Sequence, residues 1–122
     1  MDRATFTGWL DAYKDAWETR DPEAAADLFT ADAAYYETPF EAPARGRDGI
    51  LDYWSDATRY QKGVEFSYEV LATTGDAGIA RWHCRFTRLT SDSAVELDGI
   101  FLVELDADGR CTEFREWWHK RG

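Results

Sequence analysis

Cysteine and histidine are scarce in this sequence, and their scarcity limits the chemistry that the chain can carry. Its 122 residues include two cysteines, Cys84 and Cys111, and two histidines, with no CxxC motif and no spacing typical of a metal site. We therefore expect neither a disulfide framework nor a bound metal. No apolar run approaches the roughly 18 residues that span a membrane, and the N-terminus lacks the basic and apolar segments of a signal peptide. These absences predict a reducing, cytoplasmic setting.

Lysine is also scarce, and the charge balance is strongly acidic. Lys14, Lys62 and Lys120 are the only lysines, and the formal net charge is -10. A field of this sign repels phosphate backbones, so nucleic acid and anionic membrane surfaces are poor partners. The acidity fits plain solubility first, and it also fits a salt-adapted source.

Aromatic residues, in contrast, are abundant. They make up 16% of the chain and include six tryptophans. Rings of this size either fill a core or line a pocket. The length predicts one domain, residues 1–122, built around one core. No Gly-rich phosphate loop is present, so we expect no nucleotide and no other cofactor.

The first half of the chain shows helical spacing. A first apolar stripe recurs at steps of three and four residues and consists of Phe6, Trp9, Leu10, Tyr13, Ala16 and Trp17. Asp21 suits a helix N-cap and Pro22 the first helical position, with Leu28 and Phe29 on the buried side of that second helix. A third helical face consists of Ile50, Tyr53, Trp54 and Ala57. Three N-terminal helices are predicted.

The second half of the chain changes to a period of two, which is typical of half-buried strands. A short early strand is predicted over Ala33–Glu37, and the later runs are Val64–Val70, Ile79–Leu89, Ala94–Leu105 and Arg110–Lys120. The short turns between the later runs indicate an antiparallel meander. Helices followed by hairpins predict an α+β domain with the helices on one face of the sheet. Hairpin order separates Cys84 from Cys111, so both thiols should be free.

The last strand carries an unexpected acid. If Phe114 and Trp118 face inward, the period of two carries Glu116 inward with them. On a neighbouring strand, His83 alternates with the inward residues and shares its face with Arg81 and Arg85. We therefore interpret His83 as a surface or interface residue.

The order of these elements resembles the nuclear transport factor 2-like superfamily, and most closely its SnoaL-like and ketosteroid isomerase-like branches. The segments that carry the resemblance are "AWETRDPEAAADLFTADAAYYETPF", "RGRDGILDYW", "LDGIFLVELDADGR" and "REWWH". The resemblance implies a cone, in which a strongly curved antiparallel sheet wraps around the helices and leaves an apolar pocket at its wide end. Members include isomerases, cyclases, dehydratases and non-catalytic binders, so this fold does not select a reaction.

The resemblance also implies roles for individual residues. The tyrosine that donates to the substrate oxygen falls on Tyr13, and the carboxylate that moves the proton falls on Glu37, where the family usually has Asp. Phe101 falls where the family has its second, protonated acid donor. Trp118 falls on a pocket aromatic.

These assignments lead to a hypothesis for the chemistry. Proton abstraction next to a carbonyl needs a base and donors aimed at the oxygen that gains charge. Glu37 would be the base and Tyr13 one donor. Glu116, held neutral between Phe114 and Trp118, would replace the donor lost at Phe101. The expected ligand contacts are aromatic: Trp17, Phe29, Tyr35, Phe40, Trp54, Trp82, Phe86, Phe101, Phe114 and Trp118.

Each candidate also has a structural explanation. Tyr13 could pack in the core, Glu37 could be solvated beside a turn, and Glu116 could pair with a buried arginine. Three functions therefore stay open. The first is a cofactor-free isomerase, cyclase or dehydratase acting on a hydrophobic carbonyl compound. The second is a binder of a small apolar ligand. The third is a protein-interaction domain that uses the outer sheet face, through which a homodimer is also expected.

Overall fold

The computed structural model describes all residues 1–122 as three helices and six strands. The helices are α1 (Arg3–Glu18), α2 (Pro22–Ala26) and α3 (Gly46–Thr58). The strands are β1 (Phe29–Tyr36), β2 (Ala44–Arg45), β3 (Gln61–Thr74), β4 (Ala77–Arg88), β5 (Ala94–Leu105) and β6 (Cys111–Arg121). None of the helices combines the length and apolar character needed to cross a membrane.

Helix α1 buries the apolar stripe that its spacing predicts. The Asp2 side chain accepts a hydrogen bond from the Thr5 N–H and so caps the first turn. The buried residues of α1 are Phe6, Trp9, Leu10, Tyr13, Ala16 and Trp17, which confirms the predicted set. Because this face packs on the inner side of the sheet, its aromatic side chains reach the centre of the molecule.

Helix α2 is shorter than the sequence suggests. Asp21 caps it as predicted, accepting from the Ala24 N–H, but the helix ends at Ala26. The prediction that Phe29 lies on a helix is therefore wrong, since Phe29 begins β1. The Leu28 carbonyl accepts from the Cys111 N–H at 2.8 Å, so pairing with the last strand replaces the next helical turn.

The six strands form one curved sheet in the order β2-β1-β6-β5-β4-β3. Strands β3 to β6 form the predicted antiparallel meander. The expectation of a wholly antiparallel sheet is wrong, because β1 pairs parallel to β6 and the sheet is mixed. Strand β5 lies between the strands that carry Cys84 and Cys111, and both thiols are free as predicted.

The parallel pairing of β1 with β6 sets the register of two acids. Tyr35 pairs with Phe114 and Tyr36 with Arg115, so Glu37, the first residue beyond β1, continues this register toward Glu116. The Tyr35 and Phe114 rings stack on the inner face with centroids 4.4 Å apart. Residues two positions further along a strand share its face, so both carboxyl groups also belong to the inner side.

The core is a continuous cluster of rings between the helices and the inner face of the sheet. Trp82 and Phe101 stack with centroids 4.9 Å apart, and Tyr13 contacts both Phe101 and Phe114. Offset and edge-on ring contacts of this kind add to the free energy gained by burial. These rings fill much of the space between the helices and the inner face of the sheet.

Gly99 on β5 allows two strands to approach closely. A Cβ atom placed at Gly99 would lie 2.1 Å from the backbone oxygen of Trp117 on β6. The obstructing atom belongs to the backbone, so it cannot turn away as a side chain would. A residue with a side chain would therefore force β5 and β6 apart.

Candidate active site

A cavity of about 430 Å³ opens at the wide end of the sheet, between the inner face and helices α1 and α3. Its rim includes Gln61 at the start of β3, Arg88 at the end of β4 and Lys120 near the end of β6. Its lining consists of Tyr13, Trp17, Tyr35, Glu37, Tyr53, Trp54, Asp56, Ala57, Gln61, Trp82, Phe86, Arg88, Val95, Leu97, Glu116, Trp118 and Lys120. The volume and the largely apolar lining are typical of small-molecule sites.

Two buried tyrosines form the deep polar part of the cavity. The Tyr13 and Tyr35 hydroxyl oxygens are 3.4 Å apart and share a hydrogen bond. Burial raises the pKa of both phenols well above the ordinary value, and the Glu116 carboxyl raises it further when it is ionised. Both groups therefore keep their protons at neutral pH, which makes them donors rather than bases.

Glu116 is a buried acid without a cationic partner. Its residue is 6% exposed, and it lies inward between Phe114 and Trp118 as the alternation predicts. Burial raises the pKa of its carboxyl well above the ordinary value of 4.5, the Glu37 charge raises it further, and an interaction with Tyr35 offsets part of the increase. The low dielectric around the group favours the neutral acid, which can donate a hydrogen bond.

Glu37 lies closer to solvent than Glu116. Its backbone carbonyl accepts a hydrogen bond of 3.1 Å from the Trp118 indole, which fixes the chain just beyond β1. Partial burial raises the pKa of the Glu37 carboxyl, and the charge of Glu41 adds to the increase. The cavity thus contains two acids in different environments, Glu116 deep in the wall and Glu37 at the edge.

The structure brings together six of the ten aromatic residues predicted to contact a ligand. These six line the cavity: Trp17, Tyr35, Trp54, Trp82, Phe86 and Trp118. Phe29, Phe101 and Phe114, also predicted as ligand contacts, are not part of this lining and are packed in the core. Phe101, for example, is covered by the Trp82 ring, which takes the position facing the cavity.

Phe40, which was also predicted to contact a ligand, does not line this cavity but lines a neighbouring pocket that includes Glu37 and Glu116. Its side chain is 93% exposed and lies outside the cavity. Beyond Tyr36 the chain leaves the sheet and turns before β2, which leaves Phe40 largely exposed to solvent. In the segment "YYETPFEAP" (residues 35–43), Tyr35 is buried and Phe40 is exposed, so Tyr35 is the aromatic residue that lines the cavity.

Several lining residues were missed by the sequence interpretation. Tyr53 lies on the predicted buried face of α3, so its helical spacing already signalled its position. The inward row that contains Trp82 and Phe86 continues to Arg88, and the row that contains Glu116 and Trp118 continues to Lys120. Extending the period of two to the strand ends would have found both cations.

Two hydrogen-bond donors in the cavity lining are unsatisfied within the protein. The indole N–H groups of Trp54 and Trp82 are buried and have no partner, whereas that of Trp17 donates to the Gln61 side-chain oxygen at 2.9 Å. Buried polar groups of native proteins are almost always paired. Both residues line the cavity, so these donors are suited to acceptor atoms of a bound molecule or of ordered water.

His83 lies on the outer face of the sheet, as the alternation predicts, and takes no part in the cavity. Its ring forms a short hydrogen bond with Glu96, and Glu96 also pairs with Arg121. Arg81 and Asp98 form another pair on this face at 3.0 Å. The outer face is thus a layer of paired charges around the 44%-exposed side chain of Trp117.

Comparison with protein families matches residues 10–114 to the SnoaL-like domain. Among curated proteins, a steroid Delta-isomerase of Nocardioides simplex is 30% identical over 106 residues, which cover 87% of this chain and 83% of that protein.

Solved structures agree on the fold. The epoxide hydrolase/cyclase-like enzyme SalBIII, which has a role in pyran ring formation in the polyether salinomycin, superimposes with a TM-score of 0.84 at 16% identity, over 97% of this chain and 93% of that one. A hypothetical protein of Catenulispora acidiphila with a ketosteroid isomerase-like fold, solved with trimethylamine, gives a TM-score of 0.79 at 17% identity, over 89% of this chain and 83% of that one. At these identities the likeness concerns the fold alone.

Proposed function

This chain belongs to the SnoaL-like family of the nuclear transport factor 2-like superfamily, and on that premise we propose that it is a small-molecule enzyme. Its substrate is a hydrophobic carbonyl compound, cyclic or aromatic. Its reaction is an isomerisation, cyclisation or dehydration that proceeds by proton transfer without a cofactor. The steroid Delta-isomerase relative supports proton transfer as the reaction type.

One observation carries the proposal: a single cavity contains Glu37 and Glu116, two carboxyl groups in unlike environments. Burial raises the pKa of Glu116 well above its ordinary value, whereas the pKa of Glu37 is raised less strongly. Pairs of acids whose environments separate their pKa values commonly divide the roles of proton donor and base. A cavity that served only to hold an apolar ligand would not need a buried acid without a cationic partner.

In the proposed step, the Glu37 carboxylate removes a proton from the carbon next to the substrate carbonyl. The electron pair left on that carbon moves toward the carbonyl oxygen, which becomes an enolate oxygen. Tyr13 and the neutral Glu116 donate hydrogen bonds to this oxygen, and donors of this kind stabilise the charge where it develops. Glu37 then returns the proton to a second carbon or to the leaving oxygen, according to the substrate.

The first step of this reaction, removal of the proton next to the carbonyl, can be tested without knowledge of the product. Cyclic aryl ketones, dissolved in deuterated buffer with the protein, should exchange the hydrogens next to their carbonyl faster than in buffer alone, as followed by proton NMR. The Glu37→Gln variant should lose about 10²–10⁴-fold in exchange rate because it lacks the base. The Glu116→Gln variant should keep most of the rate, since an amide also donates a hydrogen bond.

The matched control is Glu69→Gln, which changes an exposed glutamate on β3 away from the cavity. It should exchange the ketone hydrogens at the wild-type rate. Exchange that is equally fast in Glu37→Gln and wild type would contradict the assignment of the base. A complete loss in Glu116→Gln would show that this residue is itself a base or supports the local structure.

A second candidate function is the binding of an apolar ligand without chemistry. The unpaired indole donors of Trp54 and Trp82 favour it as well, because they can hold an acceptor atom in a resting complex. In that case a ketone would raise the melting temperature of the protein, yet no variant would change hydrogen exchange at its carbon. Thermal-shift and exchange measurements on the same compounds separate the two functions.

A further inference from the structure

Two cations at the mouth of the cavity have no ionic partner in a strongly acidic protein. Arg88 and Lys120 both line the mouth, and neither forms an ion pair. Most other cations of the chain do pair, as Arg81 does with Asp98 and Arg85 with Glu65. With a net charge of -10, acids are plentiful, so two unpaired cations on one rim need an explanation.

Both cations end the inward rows of their strands. On β6 the inward residues run from Phe114 through Glu116 and Trp118 to Lys120. At about 3.3 Å per residue, Lys120 lies about 13 Å along the strand from Glu116. The cavity is therefore polar and acidic at its deep end, aromatic along its length and cationic at its mouth.

A third donor accompanies Arg88. Gln61 is the direct cross-strand partner of Arg88, so the two side chains share a face and start about 5 Å apart. The Trp17 indole donates to the Gln61 oxygen, which leaves the Gln61 NH₂ group free to donate. The Arg88 guanidinium lies 5.9 Å from the centre of the Phe86 ring and is thereby held over the aromatic wall.

The acids near the mouth do not use these cations. Asp56 also lines the cavity, but its carboxylate is exposed and has Arg59 as its partner at 3.7 Å. Glu37 forms no ion pair, and Glu116 is the neutral acid of the deep end. The donors of the mouth are thus available to a molecule that enters the cavity.

From this arrangement we propose that Arg88, Lys120 and Gln61 bind a carboxylate of the substrate. The inference rests on the proposed function and narrows its substrate class to ring compounds that have a carbonyl oxygen at one end and a carboxylate at the other. Arginine matches a carboxylate through two parallel hydrogen bonds, and lysine adds a point charge. The carboxylate at the mouth directs the carbonyl end toward Tyr13.

A matched pair of probes tests the proposal: a hydroxynaphthalene that carries a propanoic acid on its far ring, and the primary amide of that acid. The two differ in charge and hardly in shape. Dissociation constants are measured by isothermal titration calorimetry at low ionic strength. The wild type should bind the acid about tenfold more tightly than the amide. The overall negative field of the protein works against this preference, so the preference must come from local donors.

Arg88→Gln and Lys120→Gln should each reduce the preference for the acid several-fold, and the double variant should abolish it, while the dissociation constant of the amide stays within twofold. Both side chains lie on the rim, so the fold should be retained. The control is Arg110→Gln, which removes an unpaired cation from the turn at the opposite end of β5 and β6. It should keep the full preference. Added sodium chloride should weaken the binding of the acid alone.

The outcomes separate this inference from the proposed function. Equal binding of acid and amide to the wild type overturns the carboxylate site and leaves the proton-transfer proposal intact. An equal loss of preference in Arg110→Gln also overturns it, because the effect would then reflect total charge. Binding of neither probe overturns the carboxylate site, and the ketone-exchange assay then decides the proton-transfer proposal by itself. A preference that depends on Arg88 and Lys120, in a protein that exchanges no ketone hydrogens, supports the site and contradicts the enzyme.

Discussion

Replacing Glu116 with glutamine should make the protein more stable at neutral pH, because the buried carboxyl destabilises the fold wherever the unfolded chain would ionise it. The ordinary pKa of this group is 4.5, and burial raises the pKa of the folded group well above that value. Below pH 4.5 both states hold the proton, and the substitution exchanges one neutral group for another of nearly the same shape. The free energy of unfolding should then be similar in variant and wild type.

Above pH 4.5 the unfolded chain releases the Glu116 proton and the folded protein keeps it. The contribution of Glu116 to the free energy of unfolding therefore falls by about 1.4 kcal/mol per pH unit until the pH reaches the pKa of the folded carboxyl. The residue is 6% exposed, so solvent screens little of this effect. Glutamine cannot ionise, so the free energy of unfolding of Glu116→Gln relative to the wild type should rise by the same amount per pH unit.

Urea unfolding followed by tryptophan fluorescence, at half-unit steps from pH 4 to pH 8, measures this difference. The control Glu69→Gln should stay within about 0.5 kcal/mol of the wild type at every pH, as surface substitutions usually do. In a Glu37→Gln background, the pH range over which the advantage of glutamine at position 116 grows should end at a lower pH. The reason is that the Glu37 charge, which helps to raise the pKa of Glu116, is absent. If the difference in free energy of unfolding between Glu116→Gln and wild type does not change with pH, Glu116 is not a neutral acid in the folded protein.

Three further predictions concern other parts of the molecule. Tyr13→Phe should slow ketone hydrogen exchange in the NMR assay by about 10²–10³-fold, since it removes one donor, while urea unfolding changes by only about 1 kcal/mol; an unchanged rate would remove Tyr13 from the site. Gly99→Ala should lower the free energy of unfolding by about 3 kcal/mol in urea, because its Cβ would overlap the Trp117 backbone oxygen; a neutral effect would mean that β5 and β6 can separate. If the outer sheet face forms the expected homodimer, Trp117→Arg should convert it to a monomer in sedimentation velocity, whereas a monomeric wild type would contradict the expectation.

Periodicity in the sequence was sufficient for the helices, the meander and the inward position of Glu116. The stripe on α1 and the alternation on β4 to β6 arise from local geometry, which the sequence records directly. The same alternation contained Arg88 and Lys120, which went unnoticed because cations at strand ends are usually solvated.

The parallel pairing of β1 with β6 and the exposure of Phe40 could not be predicted in this way. Both depend on which strand the early segment joins after the chain leaves α2, and no local pattern encodes that choice. The sequence also could not predict which inward rings line the cavity, because an inward ring in the core, such as Phe101, has the same sequence pattern as an inward ring at the cavity wall. The resemblance to the SnoaL-like family predicted the cone-shaped fold, and from it the expectation that Tyr13 and Glu37 share one cavity.

The side-by-side pairing of the first and last strands has a consequence for the order of events during synthesis. Strand β6 follows the other elements of this fold in chain order and is therefore synthesised after them, and until it inserts next to β1 the two carboxyl groups have no common environment. A nascent or C-terminally truncated chain would thus present Glu37 without its partner, and the early strand would have an open edge. Assembly of the cavity wall must therefore wait for the synthesis of β6, so a product that ends before β6 should lack the paired acids and be prone to aggregate.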